Sequence, residues 1–169
     1  MAILKYSFSL TPSAAPVPAA PEARHEYAYS EFLLELAARW RQLPVQDDDT
    51  LNFFSDEDGA AIIISADFYE IPDDKAQGLA ETVVASRLEA IQKASAGPVQ
   101  VLHRAIKPHS GGVGLELSFA AEAESEHVHL YLGYVTSRKV LNFSMVCQPG
   151  HGAAALFNAT VSGFRPRLP

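Results

Sequence analysis

Between residues 51 and 147 two strand-like runs, one long amphipathic helix and four more strand-like runs follow one another, separated by short punctuated turns. Turns this short join antiparallel neighbours, because a parallel crossover needs a dozen or more residues. The order therefore predicts an α+β fold: an antiparallel β-sheet packed with helices. Leu51 to Ser55 and Ala60 to Tyr69 flank Asp56, Glu57, Asp58 and Gly59, whose Asp-Gly ending suits a left-handed turn position, and they read as a β-hairpin. From Pro72 to about Ala94, the residues Ala76, Leu79, Ala80, Val83, Arg87, Leu88 and Ile91 recur at helical spacing. Asp73 and Asp74 stand at the start of that helix and Gly97 and Pro98 just past its end. The later strands are expected at Val99 to Lys107, Val113 to Ala121, His127 to Thr136 and Val140 to Cys147. A closing helix from about Gly152 to Phe164 offers Phe157, Val161 and Phe164 to the core and stops before Pro166.

The chain of 169 residues is about one domain long, and a domain of that size buries roughly 70% of its unfolded surface. With 48% hydrophobic and 20% charged residues it belongs with folded globular chains rather than disordered ones. The longest apolar runs fall well short of the roughly 18 to 20 residues that cross a bilayer, so stable membrane insertion is not expected. Met1 to Tyr6 lacks a basic segment followed by an apolar core and a cleavage site, and the reading is a cytoplasmic protein. Its single cysteine, Cys147, rules out an internal disulfide and fits a reducing compartment.

A net charge of −7 with scattered Lys and Arg argues against nucleic acid, which requires a basic stripe. Ten of the 20 acidic residues lie between Asp47 and Asp74. They read as solvated turns and a helix N-terminus, since neither acidic triplet continues into a ligand-spaced calcium loop with a distal Glu.

Residues 11 to 24 hold four of the 11 prolines and one valine as their largest aliphatic residue, which marks a linker. Ahead of it Leu4, Tyr6, Phe8 and Leu10 alternate with polar residues as a half-buried strand does. The organisation predicted is an N-terminal arm and Pro/Ala-rich linker over 1–25 and one α+β domain over 26–169. Residues 26 to 43 are rich in Leu, Ala, Glu and Arg and so favour helix by composition, yet Tyr29 to Leu36 also reads as a strand that turns at Trp40.

No nucleophile elbow, phosphate loop, dinucleotide fingerprint or paired-cysteine site interrupts the pattern. No catalytic residues, cofactor or metal ligands are therefore assigned. His127 and His129 share a strand face at a spacing that metal sites use, but His103, His109 and His151 are remote in sequence and supply no obvious third ligand. Pro149 to Gly152 reads as a helix-entry turn, Ser110 to Gly114 as a hairpin tip, and Cys147 as a core thiol in phase with Leu141, Phe143 and Met145.

The sheet faces carry more information than any motif. One phase gathers Ile62, Ile64, Leu115, Leu117, Phe119, Val128, Leu130, Leu132, Leu141, Phe143 and Met145, a set expected beneath the helices. The other gathers Ile63, Ser65, Tyr69, Glu116, Ser118, His129, Tyr131, Val135, Asn142, Ser144 and Val146. Hydroxyls and amides among aromatics suit a surface that holds an apolar helix while satisfying some of its polar groups, and they equally suit solvent. The candidate partner-binding residues are Ser65, Tyr69, Ser118, His129, Tyr131, Asn142 and Ser144.

The strand-like Tyr29 to Leu36 with its turn at Trp40, the hairpin at 51 to 69, the helix at 72 to 94, the Gly111-Gly112 tip and the ending Ser162 to Pro166 together resemble the DcrB-like proteins over about residues 27 to 166. That family shares its fold with photosynthetic PsbP and a nuclear-transport Ran-release factor. The resemblance implies a PsbP-like α/β/α sandwich, a strand rather than a helix at 29 to 36, and a non-enzymatic role. Within the family, the Eag chaperones are cytoplasmic, often dimeric, and hold hydrophobic segments of type VI secretion effectors. The resemblance thus implies a chaperone or adaptor whose partner is an apolar helix of a secreted effector, with self-association left open. The competing expectation is a small-ligand-binding or enzymatic protein with a pocket between sheet and helices, served by His129, Tyr131 or His103.

Overall fold

The computed structural model describes residues 23–44, 50–124, 126–149 and 152–168. The expected strand at Ile3 to Leu10 and nearly all of the linker lie outside the described residues. So do Asp47, Asp48, Asp49 and His151.

Two antiparallel sheets form the body. The small one has the order β1 (Arg24–Ala28), β2 (Phe32–Ala37) and β10 (Phe164–Pro166). The large one runs β3 (Arg41–Gln42), β4 (Thr50–Ser55), β5 (Ala60–Phe68), β9 (Lys139–Cys147), β8 (Val128–Val135), β7 (Leu115–Ala123) and β6 (Val99–Pro108). The expected opening strand is present, but as the second arm of a hairpin: Tyr29 N–H donates to the Phe32 carbonyl at 2.9 Å and turns β1 into β2. Among the described residues, paired structure accordingly begins at Arg24. The β4–β5 turn uses Gly59 at φ +59°, and Asp58 closes it by accepting from Ser55 Oγ at 2.7 Å and from Arg39 Nε at 2.5 Å.

Helix α1 (Ala76–Ala94) follows a single 3-10 turn at Asp73–Lys75, so the two aspartates precede the α-helix proper. Only Ala80 and Val84 are fully buried, and their small size lets the helix axis lie close to the sheet. Ser95 ends it, with its N–H and hydroxyl both donating to the Ile91 carbonyl. Helix α2 (Ala153–Val161) is shorter than expected. Gly163 passes so close to β2 that a Cβ there would lie 2.1 Å from the Glu35 carbonyl oxygen. That approach turns the chain out of the helix, and Phe164 enters the core from β10 instead.

The expected assignment of faces needs correction. Phe119 pairs with Tyr131 and Leu117 with Gly133, so Leu115, Leu117 and Phe119 share the face of Tyr131, while Glu116 and Ser118 share that of Leu130 and Phe143. Alternation fixes faces within one strand, but the phase between strands is set by hairpin register, and the β7–β8 connection pairs odd residues with odd ones. β8 is apolar on both faces, which hid the relation in sequence. The roofing also differs from expectation. Helix α1 covers the mixed face, packing Ala80 and Val84 against Leu117, Phe119, Tyr131 and Val135. The aliphatic face, with Ile62, Ile64, Phe143 and Met145, is closed by the small sheet through Phe32, Leu34, Leu36 and Phe164, and by α2 through Phe157. Lys139 fastens the two sheets together, donating to Glu31 and to the Arg167 carbonyl.

Candidate functional site

Seven strands span roughly 29 Å at about 4.8 Å each, whereas one helix with its side chains covers only about 10 Å. Helix α1 lies along β7 and reaches β6 and β8. Among the described residues no helix lies over the same face of β4, β5 and the Asn142–Val146 stretch of β9, while Val140 at the start of β9 packs into the α1 cluster. Register arranges that open half in three ranks: Thr50, Ser65 and Asn142; Asn52, Ile63 and Ser144; Phe54, Ala61 and Val146. Ile63, in the middle of the nine, is 38% exposed, and its neighbours except buried Asn142 are half-buried. The surface is small and mixed, with the exposed Ile63 side chain standing among hydroxyls and amides and the half-buried Phe54, Ala61 and Val146.

A polar chain links this half to the covered one. Tyr131, 1% exposed, stacks on Phe119 with ring centroids 4.9 Å apart and donates its hydroxyl to Asn142 Oδ1 at 2.6 Å. Asn142, 2% exposed, donates from Nδ2 to Ser65 Oγ at 3.3 Å. The phenol lies flat along β8 because residue 133 is glycine: a Cβ there would sit 2.0 Å from the Tyr131 hydroxyl oxygen. From α1, Arg87 places its guanidinium carbon 4.9 Å from the Tyr131 ring centroid and donates from Nη1 to Ser144 Oγ at 3.3 Å. Burial pushes the Tyr131 phenol up to about 12, against the Arg87 cation, which pulls it down. Tyr131 thus stays a neutral donor at physiological pH.

The structure brings four of the seven predicted residues, Ser65, Tyr131, Asn142 and Ser144, into this one chain of contacts. Ser65 and Ser144 reach the surface; Tyr131 and Asn142 hold it from beneath. His129 lies on the same face opposite Val146, half-buried, with its pKa lowered by burial and by the neighbouring His127. Tyr69 lies past the end of β5 and donates to the Thr136 carbonyl at 3.0 Å, with burial raising its phenol to about 12. Ser118 belongs to the opposite face, 3.0 Å from His103 Nε2. Arg87 and Gly133 were missed as site residues. A charge in the core phase of a helix and a glycine inside a strand were the available signals.

Concavities lie elsewhere. A groove of about 400 Å3 between α2 and the β6–β8 end of the other face is lined by His103, Ser118, Ala120, Leu130, Leu132 and Phe157, among others. A cleft of about 700 Å3 with a mixed polar and apolar lining opens where the start of α1 meets residues 112–115 and 136–138. Among the described residues no group of three or more His, Cys, Asp or Glu is placed to hold a metal ion. No described helix is long and apolar enough to cross a membrane.

The solution structure of cyanobacterial PsbP (CyanoP) from Synechocystis sp. PCC 6803 superposes on this chain with a TM-score of 0.61, over 92% of this chain and 99% of that one, at 17% identity. The chain has the PsbP-like fold. At that identity the likeness fixes architecture and leaves function to the side chains. No protein-family model matches the chain, and no curated protein does. Within the PsbP-like frame, the open β4–β5–β9 half and its Arg87 border are the features this chain's own residues supply.

Proposed function

We propose that this protein is a non-enzymatic binding protein that holds an apolar helix of a partner protein on the open half of its large sheet, beside α1. The observation that carries this reading is the single-helix cover: among the described residues a face wide enough for two helices carries one, and Ile63 stands 38% exposed where the second would lie. A flat, half-apolar surface with unsaturated hydroxyls suits a helix, which buries side chains broadly and needs no deep cavity. The resemblance to the DcrB-like proteins refines the proposal to an Eag-type chaperone or adaptor for secreted effectors, acting in the cytoplasm, with the whole of 26–169 serving as one binding domain.

The surface residues to alter are Ile63 and Ser144, since charge at buried Tyr131 would disrupt folding before it tested binding. Capture from the native host should recover a partner carrying an apolar stretch of roughly 20 residues. Ile63→Asp and Ser144→Glu should each lose it with an unchanged circular dichroism spectrum. Capture that survives both substitutions rejects this face.

The groove beside α2 favours a second reading, a small apolar ligand held with its polar end near His103 and Ser118. A compound that raises the melting temperature of the wild type but not of Leu132→Trp would support it.

A further inference from the structure

Among the described residues, Arg87 sits on the border of the open half without a carboxylate partner. Two described arginines are half-buried, Arg39 and Arg87. Arg39 has Asp58 at 2.5 Å, whereas among the described residues Arg87 has only neutral partners, the Ser144 hydroxyl and the ring and hydroxyl of Tyr131. Asp67 lies on the same sheet face and makes no ion pair with it. A guanidinium carries five N–H donors, so most of those on Arg87 remain for another partner. Ser144 pairs directly with Ile63, which places the anchoring cation one rank position from the exposed aliphatic side chain.

We propose that the open face selects an apolar helix bearing one acidic side chain, whose carboxylate is received by Arg87. This rests on the helix-holding reading above and adds the chemistry of the partner. A helix lying beside α1 covers Ile63 with one apolar residue. A residue three or four positions away, about 5 to 6 Å along the helix surface, then faces Arg87. Such a helix also strips water from the guanidinium. A carboxylate compensates that loss through a charge-assisted, bidentate pair, and an amide or methyl group does not. Discrimination therefore comes from the penalty on partners that cover Arg87 without pairing it. A small amphiphile with a carboxylate has the same head group, but the open half offers its chain no walls.

The test uses the full chain and two synthetic 20-residue Leu/Ala helices with lysine ends, one with a central Glu and one with Gln in its place, titrated by fluorescence anisotropy. The Glu peptide should bind the wild type on the order of tenfold to a hundredfold more tightly than its Gln twin. Arg87→Gln should erase that difference, and Arg87→Lys should retain part of it. Ile63→Asp should weaken both peptides. Equal affinity of the two peptides for the wild type overturns the carboxylate inference and leaves the helix-holding face standing. Absence of binding by either, or binding indifferent to Ile63→Asp, overturns the face itself. The wild-type comparison requires no variant to fold. Decanoate that competes with the Glu peptide and loses affinity in Arg87→Gln would overturn the helical partner in favour of an amphiphile.

Discussion

At residue 133 the absence of a side chain fixes the position of the Tyr131 ring, and through it the Asn142 amide and Ser65. Gly133→Ala drives the new methyl into the phenol oxygen, so Tyr131 must leave Phe119 and release Asn142. The expected cost is about 2 to 4 kcal/mol in urea unfolding, from overpacking together with an unpaired buried amide. Tyr131→Phe tests the hydrogen bond alone and should cost about 1 to 3 kcal/mol. His129 sets a pH dependence. Its folded pKa lies below the ordinary value because burial and His127 disfavour the cation, so the unfolded chain binds more protons in the window between the two values. Stability is full above about pH 6.5 and falls as pH drops from there toward the lowered value. The melting temperature should decline less on acidification in His129→Gln than in the wild type; identical slopes would contradict this. Little of this arrangement was legible beforehand. Asn142, Tyr131 and Ser65 shared a phase on paper, but a mid-strand glycine does not announce which neighbour needs the space.

The elements divide into those whose own period specifies them and those specified by a neighbour. Helix α1 belongs to the first kind: a 3.6-residue pattern, acidic start and Gly-Pro stop bounded it in sequence to within a few residues. The β4–β5 hairpin was equally plain from its Asp-Gly turn. β1, β2 and the end of α2 belong to the second kind. Residues 26 to 37 have helical composition, yet they form strands because Leu34, Leu36 and Phe32 are needed against Phe164 and the large sheet. Helix α2 ends early because β10 must reach β2, and Gly163 permits the approach. Gly163→Ala brings a methyl against a backbone carbonyl that cannot rotate away. Detachment of β10 should lower stability by about 2 kcal/mol or more in denaturant titration, with Phe164 losing its ring contacts to Phe32 and Phe143. An unchanged midpoint would show that this junction is looser than described.

On the scale of the molecule, the sandwich is unequal. Among the described residues, one face of the large sheet is closed by a second sheet and a helix, the other by a single helix over β6 to β8 and the near edge of β9. The α+β class and antiparallel order followed from turn lengths, but the roof did not, since the relative phase of β7 and β8 depends on register, which composition does not record. The proposed function rests on this asymmetry. β5 carries its own reporters, because Ile62, Ile63 and Ile64 are consecutive: Ile63 points to the open half, while Ile62 and Ile64 are buried beneath the small sheet. Isoleucine-methyl NMR during titration with the Glu-bearing helix is therefore the most direct measurement. Saturable shifts at Ile63 are predicted, with Ile62, Ile64 and Ile106, which lies on β6 against the α1 cluster, nearly unmoved. Shifts that spare Ile63, whether they appear at Ile106 or nowhere, would contradict a helix held on the β4–β5–β9 surface.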